Sequence, residues 1–138
     1  MNAIVQEHPM GCAVACVASL LGITYTHALK LFSNPSYAST RGYYCREITD
    51  ALRKKGLHYS WKKVSTKNKN PINKEKIIIF IARSQKYPSG HFLLKTKKGW
   101  MDSWNNFPHI TPARAGFQKK LPGNPQWAIF PSPAFQKR

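Results

Sequence analysis

Gln6, Cys12, His91 and Asp102 are the residues of this chain whose types and surroundings suit nucleophilic attack on a carbonyl. Such chemistry needs four things: a thiolate, an imidazole that holds a proton and later donates it, a group that orients the imidazole, and oxyanion donors. Cys12 opens a stretch, 12–21, in which every residue is small or apolar, and Gly22 follows it. That pattern predicts a helix apolar nearly all round and therefore buried, with Gly22 as its left-handed stop. Pro9 keeps the approach to the helix extended. A cysteine at a helix N-terminus meets unpaired N–H groups and the helix dipole, both of which stabilise a thiolate. The Cys12 N–H and the Gln6 side-chain amide are candidate oxyanion donors. Free cysteine also packs as a small hydrophobe, and Cys16, one turn inside the helix, reads that way. Cys45 reads as structural or surface.

Five histidines compete for the role of base. His8 lies in the approach loop and His27 on a second helix, while His58 and His109 have no acidic neighbour downstream. His91 opens a strand directly after Gly90 and is followed by Asp102, one of five acids in the chain, in an aromatic stretch. If Lys97 and Lys98 form a two-residue turn, Thr96 pairs with Gly99, and His91 and Asp102 become diagonal neighbours on one face. A three-residue turn with a bulge puts Asn105 opposite His91 instead and turns Asp102 away. Either side chain can orient an imidazole.

The elements that must carry these residues read as helices first and strands second. Thr24 or Thr26 caps a short helix with Ala28, Leu29, Leu31 and Phe32 on one face; a third helix runs from about 45 to 55, with Gly56 as its stop. Residues 33–42 read as a loop. An edge strand is expected over 57–64, then a lysine-rich connection containing Pro71. The β-branched run 77–82 reads as a strand buried on both faces, 91–95 and 100–104 as a hairpin, and 127–130 as a last strand before a frayed tail. That order is an α+β layout, with the cysteine helix packed on an antiparallel sheet.

At 138 residues the chain is long enough for one domain, 1–138, and too short for two ordinary ones. No apolar run reaches the ~18 residues of a membrane span. The region before Cys12 holds Glu7 and no Lys or Arg, which does not read as an export signal. Three cysteines without a framework pattern fit reduced thiols. No CxxC pair is present, so neither metal nor cofactor is expected. A net charge of +17 implies attraction to something anionic. Arg53, Lys54, Lys62, Lys97 and Lys98 are the candidate binding cations.

Gln6, then Gly11-Cys12-x-x-Ala15-Cys16-x-x-x-Leu20-Leu21-Gly22, then Gly90-His91-Phe92 and Asp102, resembles the papain-like cysteine peptidases that process bacteriocin precursors at double-glycine leaders. Ala13 stands where that family usually has glycine, and Ser103 where it often has proline. The resemblance implies a papain-like fold, with Gln6 as oxyanion donor, Cys12 as nucleophile, His91 as general base, Asp102 as its orienter, and a peptide or protein as substrate. The protein would then act in the cytoplasm, or in a target cell after delivery as part of a larger secreted protein. A second reading follows the charge: a toxin or effector domain on the same scaffold, neutralised by an acidic immunity protein and cutting protein or RNA such as tRNA. A third is a non-catalytic nucleic-acid binder, in which Tyr43, Tyr44, Tyr59 and Trp61 stack bases between Arg41, Arg46, Arg53 and Lys62. Core and interface packing is the favoured reading of the same aromatics.

Overall fold

The structure, a computed structural model, describes residues 1–64, 74–106 and 112–132. His109, residues 65–73 of the lysine-rich connection with Pro71, and the C-terminal tail lie outside the described residues. Helix α1 spans Cys12–Leu21, and every residue from Ala13 to Ser19 is buried, as its uniformly apolar sequence requires. It ends at Gly22, whose φ of 70° lets its N–H reach the Ser19 carbonyl at 3.3 Å. The Ile23 N–H reaches Ala18 at 3.0 Å, so two otherwise unpaired carbonyls are satisfied. Helix α2 is Tyr25–Leu29, capped by the Thr24 hydroxyl, which accepts from the His27 N–H at 3.1 Å. A 3₁₀ turn, Pro35–Ala38, lies inside the segment that reads as loop. Helix α3, Cys45–Arg53, begins where the Glu47 carboxylate accepts the Tyr44 N–H at 2.8 Å. It stops two residues before the end its sequence suggests, and the chain turns off at Gly56 with φ 80°.

The strands are β1 Tyr59–Lys63, β2 Ile78–Ile81, β3 His91–Thr96, β4 Gly99–Asp102, β5 Gly116–Gln118 and β6 Pro125–Pro131. They form one sheet in the order β1-β6-β2-β3-β4-β5, antiparallel throughout. The class is therefore α+β. The last strand to be made lies inside the sheet, between β1 and β2, while β1 forms an edge with Trp61, Lys62 and Lys63 exposed. Ile78, Phe92, Leu94, Met101 and Ile129 pack on the helices, whereas Ile79, Ile81, Leu93, Trp100 and Ala128 form a second core on the other face. Two covered faces explain why β2 is apolar without alternation. β5 has no counterpart in the sequence reading: three residues are too few to show a period.

Register in the β3–β4 hairpin decides where the acid points. Thr96 pairs with Gly99, Lys95 with Trp100 and Leu94 with Met101, so Lys97 and Lys98 form a two-residue turn. The Thr96 hydroxyl closes it, donating to the Gly99 carbonyl at 2.8 Å and accepting from the Lys98 N–H at 3.1 Å. Of the two registers open in the sequence, this is the one that puts His91 and Asp102 on one face.

Candidate active site

Three element ends meet here: the start of α1, the start of β3 and the end of β4, with α1 packed along β3. Gly11 precedes α1 without a side chain to cap it, and no acid occupies the first turn, so the helix offers bare N–H groups around Cys12. The missing Cβ of Gly11 leaves room for the Tyr25 hydroxyl, which pairs with His8 Nδ1 at 2.9 Å. Cys12 itself is partly exposed. Gly90, at φ 75°, turns the chain into β3 against the Phe80 ring and the Ile81 carbonyl, where a Cβ would collide.

His91 and Asp102 are both buried, and His91 Nε2 donates to Asp102 Oδ1 at 2.7 Å. That leaves Nδ1 as the ring nitrogen for the Cys12 sulfur. Burial pushes the Cys12 thiol up, but the charge and hydrogen bond of His91, with the Phe92 N–H, outweigh it and hold the thiol below its ordinary value. Burial pulls His91 down, and the charge of Cys12, the hydrogen bond to Asp102 and that to Cys12 raise it above the ordinary imidazole value. Both shifts run in the direction that favours a thiolate–imidazolium pair. For Asp102, burial pushes up while the bond to and charge of His91, the Trp104 N–H and the Tyr87 hydroxyl pull down, and the carboxyl stays below its ordinary value. Cys16 is fully buried and its thiol is pushed well up by burial, so it packs as an inert thiol. Asn105 does not reach the imidazole: its N–H bonds the Arg114 carbonyl at 2.7 Å and its side chain lies against Gly116.

Gln6 is buried, and its amide does something the sequence did not suggest. Nε2 donates to the His8 carbonyl at 2.9 Å and to the Pro9 carbonyl at 3.1 Å, while Oε1 accepts from the Ser103 hydroxyl at 2.7 Å. Gln6 thus ties the loop leading to Cys12 onto the chain just past Asp102. To serve an oxyanion, Nε2 must exchange a loop carbonyl for it, the longer Pro9 contact first. Ser103, Tyr87 and Gln118 were not singled out from sequence. Asp102 Oδ2 receives the Tyr87 hydroxyl at 3.1 Å and Gln118 Nε2 at 2.7 Å, and Oδ1 receives the Trp104 N–H at 3.0 Å besides His91. Nothing in the spacing of Tyr87 or Gln118 marks them, because one sits in a loop and the other on the unforeseen β5.

The candidate binding cations do not gather at this site. Lys97 and Lys98 lie at the far end of β3 from His91, about 20 Å away at ~3.3 Å per residue. Lys62 is on the edge strand, Arg53 pairs with Asp50 at 3.0 Å, and Lys54 donates to the Leu31 carbonyl at 2.8 Å. Of the four aromatics proposed for stacking, Tyr43 and Tyr59 are core, with hydroxyls bonded to the Asn34 and Lys76 carbonyls; Tyr44 and Trp61 are exposed. A groove of about 610 Å³ lies at the other end of α1, between Leu20, Leu21, Leu57 and Tyr59 with Lys55 and Lys76 at its rim. Among the described residues no cluster of three His, Cys, Asp or Glu could hold a metal, and no helix is long and apolar enough to cross a membrane. No protein-family model matches the chain, and no curated protein matches it in sequence.

Proposed function

We propose that this protein is a papain-like cysteine hydrolase that cuts peptide bonds, of the kind that removes double-glycine leaders. The observation that carries the reading is the Asp102–His91 bond of 2.7 Å in line with a thiolate-stabilised Cys12 at a helix N-terminus. In that reading the Cys12 thiolate attacks the scissile carbonyl carbon, and the carbonyl electron pair moves to its oxygen. The Cys12 N–H stabilises that oxyanion, joined by Gln6 Nε2 once it leaves Pro9. His91 gives its proton to the departing amine, and the C–N bond breaks to leave a thioester on Cys12. His91 then takes a proton from water, hydroxide attacks the thioester, and acid product leaves with the thiolate restored. Asp102 keeps the imidazole in the one orientation that serves both halves.

Incubation with peptides spanning Gly-Gly junctions tests this. The wild type is expected to cleave them, and Cys12→Ala, folded by circular dichroism, to be inactive; cleavage by that variant would overturn the reading. The RNA-cleaving toxin draws its support from the +17 charge. It predicts cleavage of a tRNA by the wild type and a steep loss of RNA binding between ~50 and ~200 mM salt.

A further inference from the structure

Tyr87 lies in the loop between β2 and β3 and is 2% exposed. Its ring stacks face to face on the His91 imidazole, with centroids 4.7 Å apart and planes 10° from parallel. Its hydroxyl donates to Asp102 Oδ2 at 3.1 Å. One side chain therefore touches two members of the same hydrogen-bonded chain, by its face and by its tip. The loop is shaped to hold it there. The Tyr87 N–H donates to the Ser84 hydroxyl at 3.1 Å, and the Tyr87 carbonyl accepts the Ser84 and Gly90 N–H groups, each at 3.0 Å. Gly90, the residue that turns the chain into β3, is thus tied to Tyr87 and adjoins His91.

We infer that Tyr87 is the positioning residue of the site, its ring fixing the plane of the His91 imidazolium and its hydroxyl fixing the Asp102 carboxylate. This rests on the Cys12–His91 reading given above. A cation over an aromatic face is attracted by the ring quadrupole, and a neutral imidazole gains less, so the stack favours the protonated form. The stack also stops the ring from rotating about its bond to the chain, which Asp102 alone, bonded at one nitrogen, does not. The charged and titratable groups around His91 are Cys12, Asp102 and Tyr87; Cys16 lies one turn beyond Cys12 in α1. Lys86 Nζ sits 5.3 Å from the Tyr87 ring centroid and draws on the same ring, but it is exposed and screened. Gln118 bonds both Asp102 and the Tyr87 side chain, so it steadies the carboxylate end of this group and not the plane of the imidazole.

The test is the pH dependence of Cys12 alkylation by iodoacetamide, together with the ¹⁵N and proton resonances of the His91 ring, in wild type, Tyr87→Phe, Tyr87→Leu and His91→Ala. Tyr87→Phe keeps the ring and loses the bond to Asp102. It is expected to shift the His91 Nε2–H resonance and to move the acid edge of alkylation by under about half a pH unit, since Gln118 still holds Oδ2. Tyr87→Leu loses both contacts; its acid edge is expected to move up by about one pH unit, a roughly tenfold lower rate at any pH on the acid side of the edge. Thermal melts establish that each variant is folded, and if Tyr87→Leu is not, the Tyr87→Phe resonance decides alone. Wild-type profiles in the folded Tyr87 variants, with an unshifted resonance, would overturn the role of Tyr87 and leave the Cys12–His91 reading intact. An alkylation profile that is ordinary in the wild type and indifferent to His91→Ala would overturn both.

Discussion

Asp102 is a carboxylate without exposed surface, and each of its oxygens receives two donors: His91 and the Trp104 N–H on one, Tyr87 and Gln118 on the other. A buried charge of this kind is retained only where its hydrogen bonds and partner charge offset desolvation. Its effect on His91 has a definite sign. The folded state holds His91 above 6.5, so that contribution to stability is full below that pH and is lost as pH rises through the raised value. Cys12 is held below 9.0, so its contribution is full above that pH and is lost as pH falls through the lowered value. In the proposed hydrolase, activity requires thiolate and imidazolium together, so the expected pH profile is a plateau bounded by Cys12 ionising on the acid side and His91 deprotonating on the basic side. Asp102→Asn keeps an acceptor for Nε2–H and removes the charge. It is expected to pull the basic limb to lower pH and to reduce kcat/KM by roughly 10²–10⁴-fold, read from peptide hydrolysis across pH 5–10. A profile that keeps its width would show that Asp102 acts through shape and not through charge.

Two glycines with similar backbone angles separate what an element needs from what the site needs. Gly22 and Gly90 have φ of 70° and 75°, yet a Cβ on Gly22 meets nothing within 4 Å while one on Gly90 collides with Phe80 and the Ile81 carbonyl. Gly22→Ala therefore bears only the left-handed conformation, about 1 kcal/mol, and leaves Cys12 alkylation unchanged. Gly90→Ala adds displacement of a ring and a strand carbonyl beside His91, and is expected to cost over about 2 kcal/mol and to slow alkylation. Urea denaturation with alkylation at pH 6 checks both, and equal costs would mean that the β3 start relaxes freely. Gly22 and Gly90 also show how far sequence carries. α1 and its stop are legible because ten small and apolar residues followed by glycine fit little else. The hairpin is legible up to a choice of two registers, since the choice turns on Thr96 closing a two-residue turn, a contact between side chain and backbone. Gln6, Cys12, His91 and Asp102 are legible as types in favourable places. Tyr87 and Gln118 are not, because their parts depend on a loop path and on a three-residue strand. Gln6 bonding the loop carbonyls is likewise a product of packing, which no spacing encodes.

At the scale of the whole chain, charge is the property that the site does not explain. Of the five acids, Asp102 is buried against His91, and Glu47 and Asp50 pair with Arg41 and Arg53 at 2.8 and 3.0 Å. Glu7 and Glu75 are the remaining counterweights to 22 basic residues. Exposed ion pairs contribute little, so repulsion among the unmatched cations governs how this fold responds to salt. Raising sodium chloride from about 20 to about 200 mM shortens the screening length from about 20 to about 7 Å, which relieves repulsion between lysines on different elements. The melting temperature is accordingly expected to rise by about 2–6 °C, where salt would lower it if paired surface charges dominated. The Cys12–His91 pair is screened much less, because His91 is buried and Cys12 only partly exposed. Cys12 alkylation at pH 6 should therefore change by less than about twofold over the same salt range. Calorimetric melts and alkylation rates measured in the same buffers separate the two. A falling melting temperature would assign the surface to ion-pair stabilisation, and a rate that tracks salt would show that solvent ions reach the thiolate.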